Sequence, residues 1–136
     1  MPSGSLEALL FNPDPAAYLP HRYPFLLLDR IIELEPGIQA VARTGVTAGA
    51  DFPQILMIEC VAQLAGIVVA QVEGEGGFLA SIDHAEFFGT MAVGDILTVS
   101  VKVVKSFGRL FMIEGNIVSG VDKLLSVQLT LGVGGL

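Results

Sequence analysis

Hydrophobic and polar positions alternate most cleanly over residues 95–105. Leu97, Val99, Val101 and Val103 fall on one side, with Thr98, Ser100 and Lys102 on the other. That period of two predicts a strand with one buried face. The same pattern runs through residues 110–118, with Phe111, Ile113 and Ile117 inward, and through 124–131, with Leu125, Val127, Leu129 and Leu131 inward. Residues 25–33, 39–47 and 78–88 are three further strand candidates, the first of them ended by Pro36-Gly37. Phe107-Gly108 and Gly120-Val121-Asp122 give hairpin-length connections, so the strands are expected to run antiparallel with one face covered.

One segment breaks this period. Residues 53–72 are apolar nearly all round, through Ile55, Leu56, Met57, Ile58, Val61, Leu64, Ile67, Val68 and Val69. They predict a helix buried on most sides rather than an amphipathic one. Ala62, Gly66 and Ala70 recur every four residues as a small-residue stripe that lets a neighbouring element approach closely. Gly74, Gly76 and Gly77 read as its terminators. Near the N-terminus, Asn12-Pro13-Asp14-Pro15 can start a short helix through Ala16 and Ala17, and Pro20 and Pro24 prevent continuous helix beyond it. One long helix with five or six antiparallel strands is an α+β domain, the sheet wrapped around the helix. A length of 136 residues fits a single domain over 1–136.

Composition narrows the choice of partner. Hydrophobic residues make up 52% and charged residues 15%, which excludes a disordered chain and suggests surface buried between copies. A homodimer or higher homo-oligomer is therefore expected. Seven Lys and Arg against fourteen Asp and Glu give a net charge of −7, and the cations are scattered. Nucleic-acid binding, which needs a basic face, is not expected. The uncharged run 60–72 falls short of the roughly 18–20 apolar residues of a membrane span. Met1 to Leu10 holds no basic stretch of a signal peptide, and Cys60 is the single cysteine. A cytoplasmic protein is expected. No zinc spacing, phosphate-cradling glycine loop or nucleophile elbow is present, so neither metal nor cofactor is expected.

Glu59 is the most informative position for chemistry, because it interrupts the apolar run Ile55-Leu56-Met57-Ile58-Glu59-Cys60-Val61-Ala62. A carboxylate in such a place must be paired, neutralised or turned to a cavity. Gln63, four residues on, shares its face and can hydrogen-bond to it. The structural alternative is a carboxylate reaching solvent or capping the helix end.

Two segments resemble a known family. Leu19-Pro20-His21-Arg22-Tyr23-Pro24-Phe25-Leu26-Leu27-Leu28-Asp29-Arg30 resembles the opening motif of the 3-hydroxyacyl-[acyl carrier protein] dehydratases, and Ile55 through Gly66 resembles their central helix. The stretch 78–95, with Phe87 and Gly94-Asp95, is similar to the strand and turn that follow. The resemblance implies a hotdog fold, a strongly curved antiparallel sheet around one long helix, and dehydration of a thioester carried by acyl carrier protein or coenzyme A. It implies a His and a Glu meeting at a dimer interface, Glu59 matching that Glu. Phe52, Pro53, Gln54, Ile55, Gln63, Tyr23 and Phe87 are the residues expected to line the substrate, with backbone N–H groups of Gln54 and Ile55 polarising the thioester carbonyl, while Tyr23 and Phe25 read equally as core.

The chain also departs from the family. Its histidine loop reads Gly-His-Phe-Pro-Gly-x-Pro-x-x-Pro-Gly, whereas here Thr47-Ala48-Gly49-Ala50-Asp51-Phe52-Pro53-Gln54 is shorter and holds no histidine. Counting back from Glu59 without a gap sets Pro53-Gln54 on the final Pro-Gly; the other register sets Asp51 on the histidine. His21 and Asp51 are the candidate replacements, against bland readings as a scaffold for the N-terminal turn and as a helix cap. His84 and Glu86 share a strand face, where the family often has basic residues for an acidic carrier protein; a polar sheet edge is the expected reading. Three functions follow: a dehydratase-type hydro-lyase, a hotdog thioesterase, or a non-catalytic acyl-thioester-binding subunit that pairs with another hotdog chain.

Overall fold

The computed structural model describes residues 11–19, 27–47, 54–70 and 75–135. Six strands form one antiparallel sheet: β1 (Arg30–Glu35), β2 (Gln39–Gly45), β3 (Glu75–Phe87), β4 (Ile96–Phe107), β5 (Leu110–Ser119) and β6 (Asp122–Gly135). Their spatial order is β1-β2-β4-β5-β6-β3. The helix α1 (Gln54–Val69) packs against β2 to β6, so the sheet curves round it as expected of a hotdog. Among the described residues no helix is long and apolar enough to cross a membrane.

The alternation of β4 holds: Leu97, Val99 and Val101 are buried, and Lys102 is exposed. Leu125, Val127, Leu129 and Leu131 of β6 are buried against α1 with Ile113 and Ile117 of β5. Phe111 and Val103 are only partly covered, because the β4–β5 hairpin runs out past the helix. Asp14 caps a 3-10 turn, Pro15–Ala17, its side chain accepting from the Ala16 N–H at 2.9 Å.

Helix α1 is buried on most sides, as its unbroken apolar character requires. Two glycines let it sit close to the sheet. A Cβ on Gly77 of β3 would lie 2.9 Å from the Gly66 Cα, the middle of the small-residue stripe. A Cβ on Gly115 of β5 would lie 2.3 Å from a Val61 methyl. Gly76 and Gly77 are therefore strand residues of β3, Gly77 making room for the helix, and α1 ends earlier, at Val69. The Val68 carbonyl in its last turn accepts from the Gly37 N–H in the β1–β2 turn at 2.8 Å.

Strand β3 lies at the sheet's edge and, among the described residues, pairs with β6 alone. Phe78, Leu79, Ile82 and Phe87 along it are exposed. So long an edge with apolar side chains is what soluble proteins cover.

Candidate functional site

Strand β1 starts at Arg30, later than the apolar run from Phe25 suggests. The reason lies in three side chains. The Asp29 N–H still donates to the Arg43 carbonyl, but the Gly45 N–H opposite is taken by Asp29 Oδ2 at 2.7 Å. Two residues earlier, Thr44 Oγ1 donates to the Leu27 carbonyl at 2.5 Å. The Leu27 N–H donates to Gln63 Oε1 at 3.0 Å. The chain thus leaves the ladder at Asp29 and crosses to α1, and side chains meet the Leu27 N–H, the Leu27 carbonyl and the Gly45 N–H.

Gln63 is the hinge of this arrangement. Its Nε2 donates to Glu59 Oε2 at 3.3 Å, the contact expected from their spacing of four. Gln63 is 3% exposed, whereas Glu59 is half-buried. The carboxylate is therefore held by a buried amide, on a residue that is itself only half-buried. An oxygen pair so placed can take a proton from a substrate and return it.

Cys60 follows Glu59 but is no nucleophile. Burial, with smaller contributions from the Glu59 and Asp29 carboxylates, pushes its thiol from 9.0 up to about 12. The folded state holds the proton where an unfolded thiol has lost it, so this contribution to stability is complete below pH 9 and disappears as pH rises toward 12. Native protein at pH 8 is expected to resist iodoacetamide, and protein in denaturant to be alkylated at once; rapid native labelling would contradict the buried thiol.

Gln54 and Ile55 open α1 and are exposed, Ile55 at 59%. The first N–H groups of a helix have no acceptor within it and sit at its positive end. Phe87 closes β3 and is also exposed. His21, Tyr23, Asp51, Phe52 and Pro53 lie outside the described residues. Among the predicted site residues the structure joins Glu59 to Gln63 directly. Leu27, Thr44 and Asp29 are additions that the sequence reading missed; a threonine in the inward frame Ala40, Ala42, Thr44 of β2 was the available signal.

Other polar groups stand apart from α1. His84 and Glu86 pair at 3.0 Å on exposed β3. The Thr130 and Ser81 hydroxyls hold the exposed Asp83 carboxyl below its usual range. No three His, Cys, Asp or Glu among the described residues gather as metal ligands. A groove of about 490 Å³ is lined by Phe11 and residues of β1, β2, β4 and β5, including Glu33, Val41, Lys102 and Glu114, with no described residue of α1 among them.

Comparison with known proteins bears on the family and the fold. Residues 59–126 match the model of the Thioesterase superfamily. The 3-hydroxyacyl-[acyl-carrier-protein] dehydratase FabZ of Ruminiclostridium cellulolyticum is 37% identical over 134 residues, covering 88% of this chain and 93% of that protein. FabZ of Caldanaerobacter subterraneus is 42% identical over 106 residues, covering 68% and 75%. In fold, the dehydratase heterocomplex ApeI:P of Xenorhabdus doucetiae superposes with a TM-score of 0.74 at 17% identity over 92% of this chain and 93% of its own. A hypothetical thioesterase of Streptococcus pneumoniae with coenzyme A superposes at 0.65 with 16% identity, over 77% and 84%. With 37% identity over 93% of the Ruminiclostridium relative, and with the helix and curved sheet in place, the chain belongs to the FabZ family of hotdog 3-hydroxyacyl-[acyl-carrier-protein] dehydratases.

Proposed function

We propose that this chain is a dehydratase acting on 3-hydroxyacyl thioesters, with Glu59 as its central acid and base. The observation that carries the reading is the Glu59 carboxylate, set into an otherwise apolar helix and held by Gln63. Glu59 takes the proton from C2, the C3 hydroxyl leaves as water on receiving a proton, and the new double bond is conjugated with the thioester carbonyl. One carboxylate can do both, since the proton it accepts equals the one it returns. The first N–H groups of α1, at Gln54 and Ile55, receive the carbonyl oxygen as charge builds on it. His21 and Asp51 are the candidates for a second proton-handling group, with Tyr23, Phe52, Pro53 and Phe87 beside the acyl chain.

The working unit in this reading is a pair of chains joined along β3. Its open edge and the exposed Phe78, Leu79 and Ile82 support that, as does the low charge of the whole sequence. Either a second copy or another hotdog chain satisfies the edge. Glu86 and Gly89 stand near this edge where basic residues would favour an acidic carrier protein, which weighs against carrier docking here and leaves coenzyme A esters as substrates.

The match to the Thioesterase superfamily supports a second reading, in which Glu59 or Asp51 activates water. One assay separates the two. Offered 3-hydroxyacyl and enoyl thioesters of coenzyme A and of acyl carrier protein, a dehydratase interconverts them, followed by ultraviolet absorbance of the conjugated enoyl thioester, and releases no thiol. Thiol release without enoyl formation would replace the proposal by the thioesterase.

A further inference from the structure

A primary amide is nearly symmetric in shape, and turning it over exchanges donor for acceptor. For Gln63 the two orientations have opposite consequences. One presents N–H to the Glu59 carboxylate; the other presents a carbonyl oxygen to it. The far end of the amide decides which is adopted, because the Leu27 N–H must meet an oxygen, and that oxygen is Gln63 Oε1 at 3.0 Å. Leu27 can offer its N–H there only while its backbone stays turned away from the sheet. Its carbonyl is held in that posture by Thr44 Oγ1. Thr44 is 4% exposed and Gln63 3%, so water does not readily stand in for either.

The geometry points to Thr44 as a positioning residue for Glu59: by fixing the Leu27 carbonyl, it keeps the Leu27 N–H on Gln63 and so aims the Gln63 amide N–H at the Glu59 carboxylate. Thr44 acts on Glu59 through three hydrogen bonds in series. A small polar residue in a buried strand frame otherwise filled by Ala40 and Ala42 is thereby explained. Its consequence for turnover rests on the dehydratase reading; its effect on the orientation of Gln63 does not.

The test uses the full chain labelled with nitrogen-15, with the Gln63 side-chain amide assigned by its disappearance in Gln63→Leu. In the wild type, the Leu27 amide is expected to exchange with solvent at least about tenfold more slowly than an unbonded loop amide. In Thr44→Val, which keeps the shape and removes the donor, the two Gln63 amide protons move toward the positions of an exposed glutamine. Thr44→Ser restores them. With a 3-hydroxyacyl thioester as substrate, Thr44→Val lowers kcat about tenfold with KM within about twofold, and Thr44→Ser recovers it. A fast-exchanging Leu27 amide in the wild type overturns the inference without recourse to any variant. Unchanged Gln63 resonances in Thr44→Val overturn it as well, as does a displaced amide with undiminished kcat. A wild type that turns over no thioester defeats the dehydratase reading instead, and the resonances still decide whether Thr44 orients Gln63.

Discussion

Glu59→Gln is expected to lose turnover of 3-hydroxyacyl and enoyl thioesters by about 10²–10⁴-fold, the usual contribution of a positioned acid or base. In barrier height this is about 3–5 kcal/mol. The substitution is close to isosteric, and the new amide carbonyl can still accept from Gln63 Nε2, so the contact on that side of the helix survives. Because Glu59 is half-buried rather than enclosed, solvent moderates the electrostatic cost of removing its charge. The thermal midpoint should therefore stay within a few degrees of wild type, and KM should move far less than kcat. An amide can hydrogen-bond to substrate but cannot accept the C2 proton, which is why the loss falls on kcat. A folded Glu59→Gln protein that keeps more than about a tenth of wild-type kcat would remove Glu59 from the proton transfer.

Much of this arrangement is written in local sequence. The β4 frame of Leu97, Val99 and Val101 is legible because one face alone is buried, so burial and period coincide. The Glu59–Gln63 pair is legible for a similar reason, since a spacing of four fixes both on one helix face. What escapes is whatever depends on contacts between segments. Leu27 and Leu28 continue an apolar run that reads as strand, yet the ladder stops at Asp29 because Asp29, Thr44 and Gln63 take over its bonds. Gly76 and Gly77 read as helix terminators, yet they belong to β3, where Gly77 admits the helix backbone. A glycine required by an approach across space looks in sequence like one required by a turn. The candidates at His21, Tyr23 and 51–53 lie outside the described residues and remain part of the proposal.

The seating of α1 on the sheet yields the largest expected stability change. Gly115→Ala places a methyl group 2.3 Å from a Val61 Cγ, in a contact where Val61 is fully buried and Val127 closes the other side at 3.3 Å. Neither neighbour can swing into solvent, so the helix must lift or the side chains must leave their rotamers. Overpacking of this kind costs about 1–3 kcal/mol. Val61→Ala alone is expected to cost about 2 kcal/mol, from lost methyl burial and the gap left behind. Together the two changes exchange volume across one contact, the methyl group introduced by Gly115→Ala filling part of the space that Val61 vacates. The double variant should then be less destabilised than the sum of the singles by about 0.5–3 kcal/mol, measured by denaturant unfolding. Glu59 lies two residues before Val61 on the same helix, so a lifted helix in Gly115→Ala also carries the carboxylate out of place, and turnover should recover with stability in the double variant. Strictly additive costs would mean that Val61 and Gly115 do not meet, and the close seating that positions Glu59 would have to come from elsewhere on the helix.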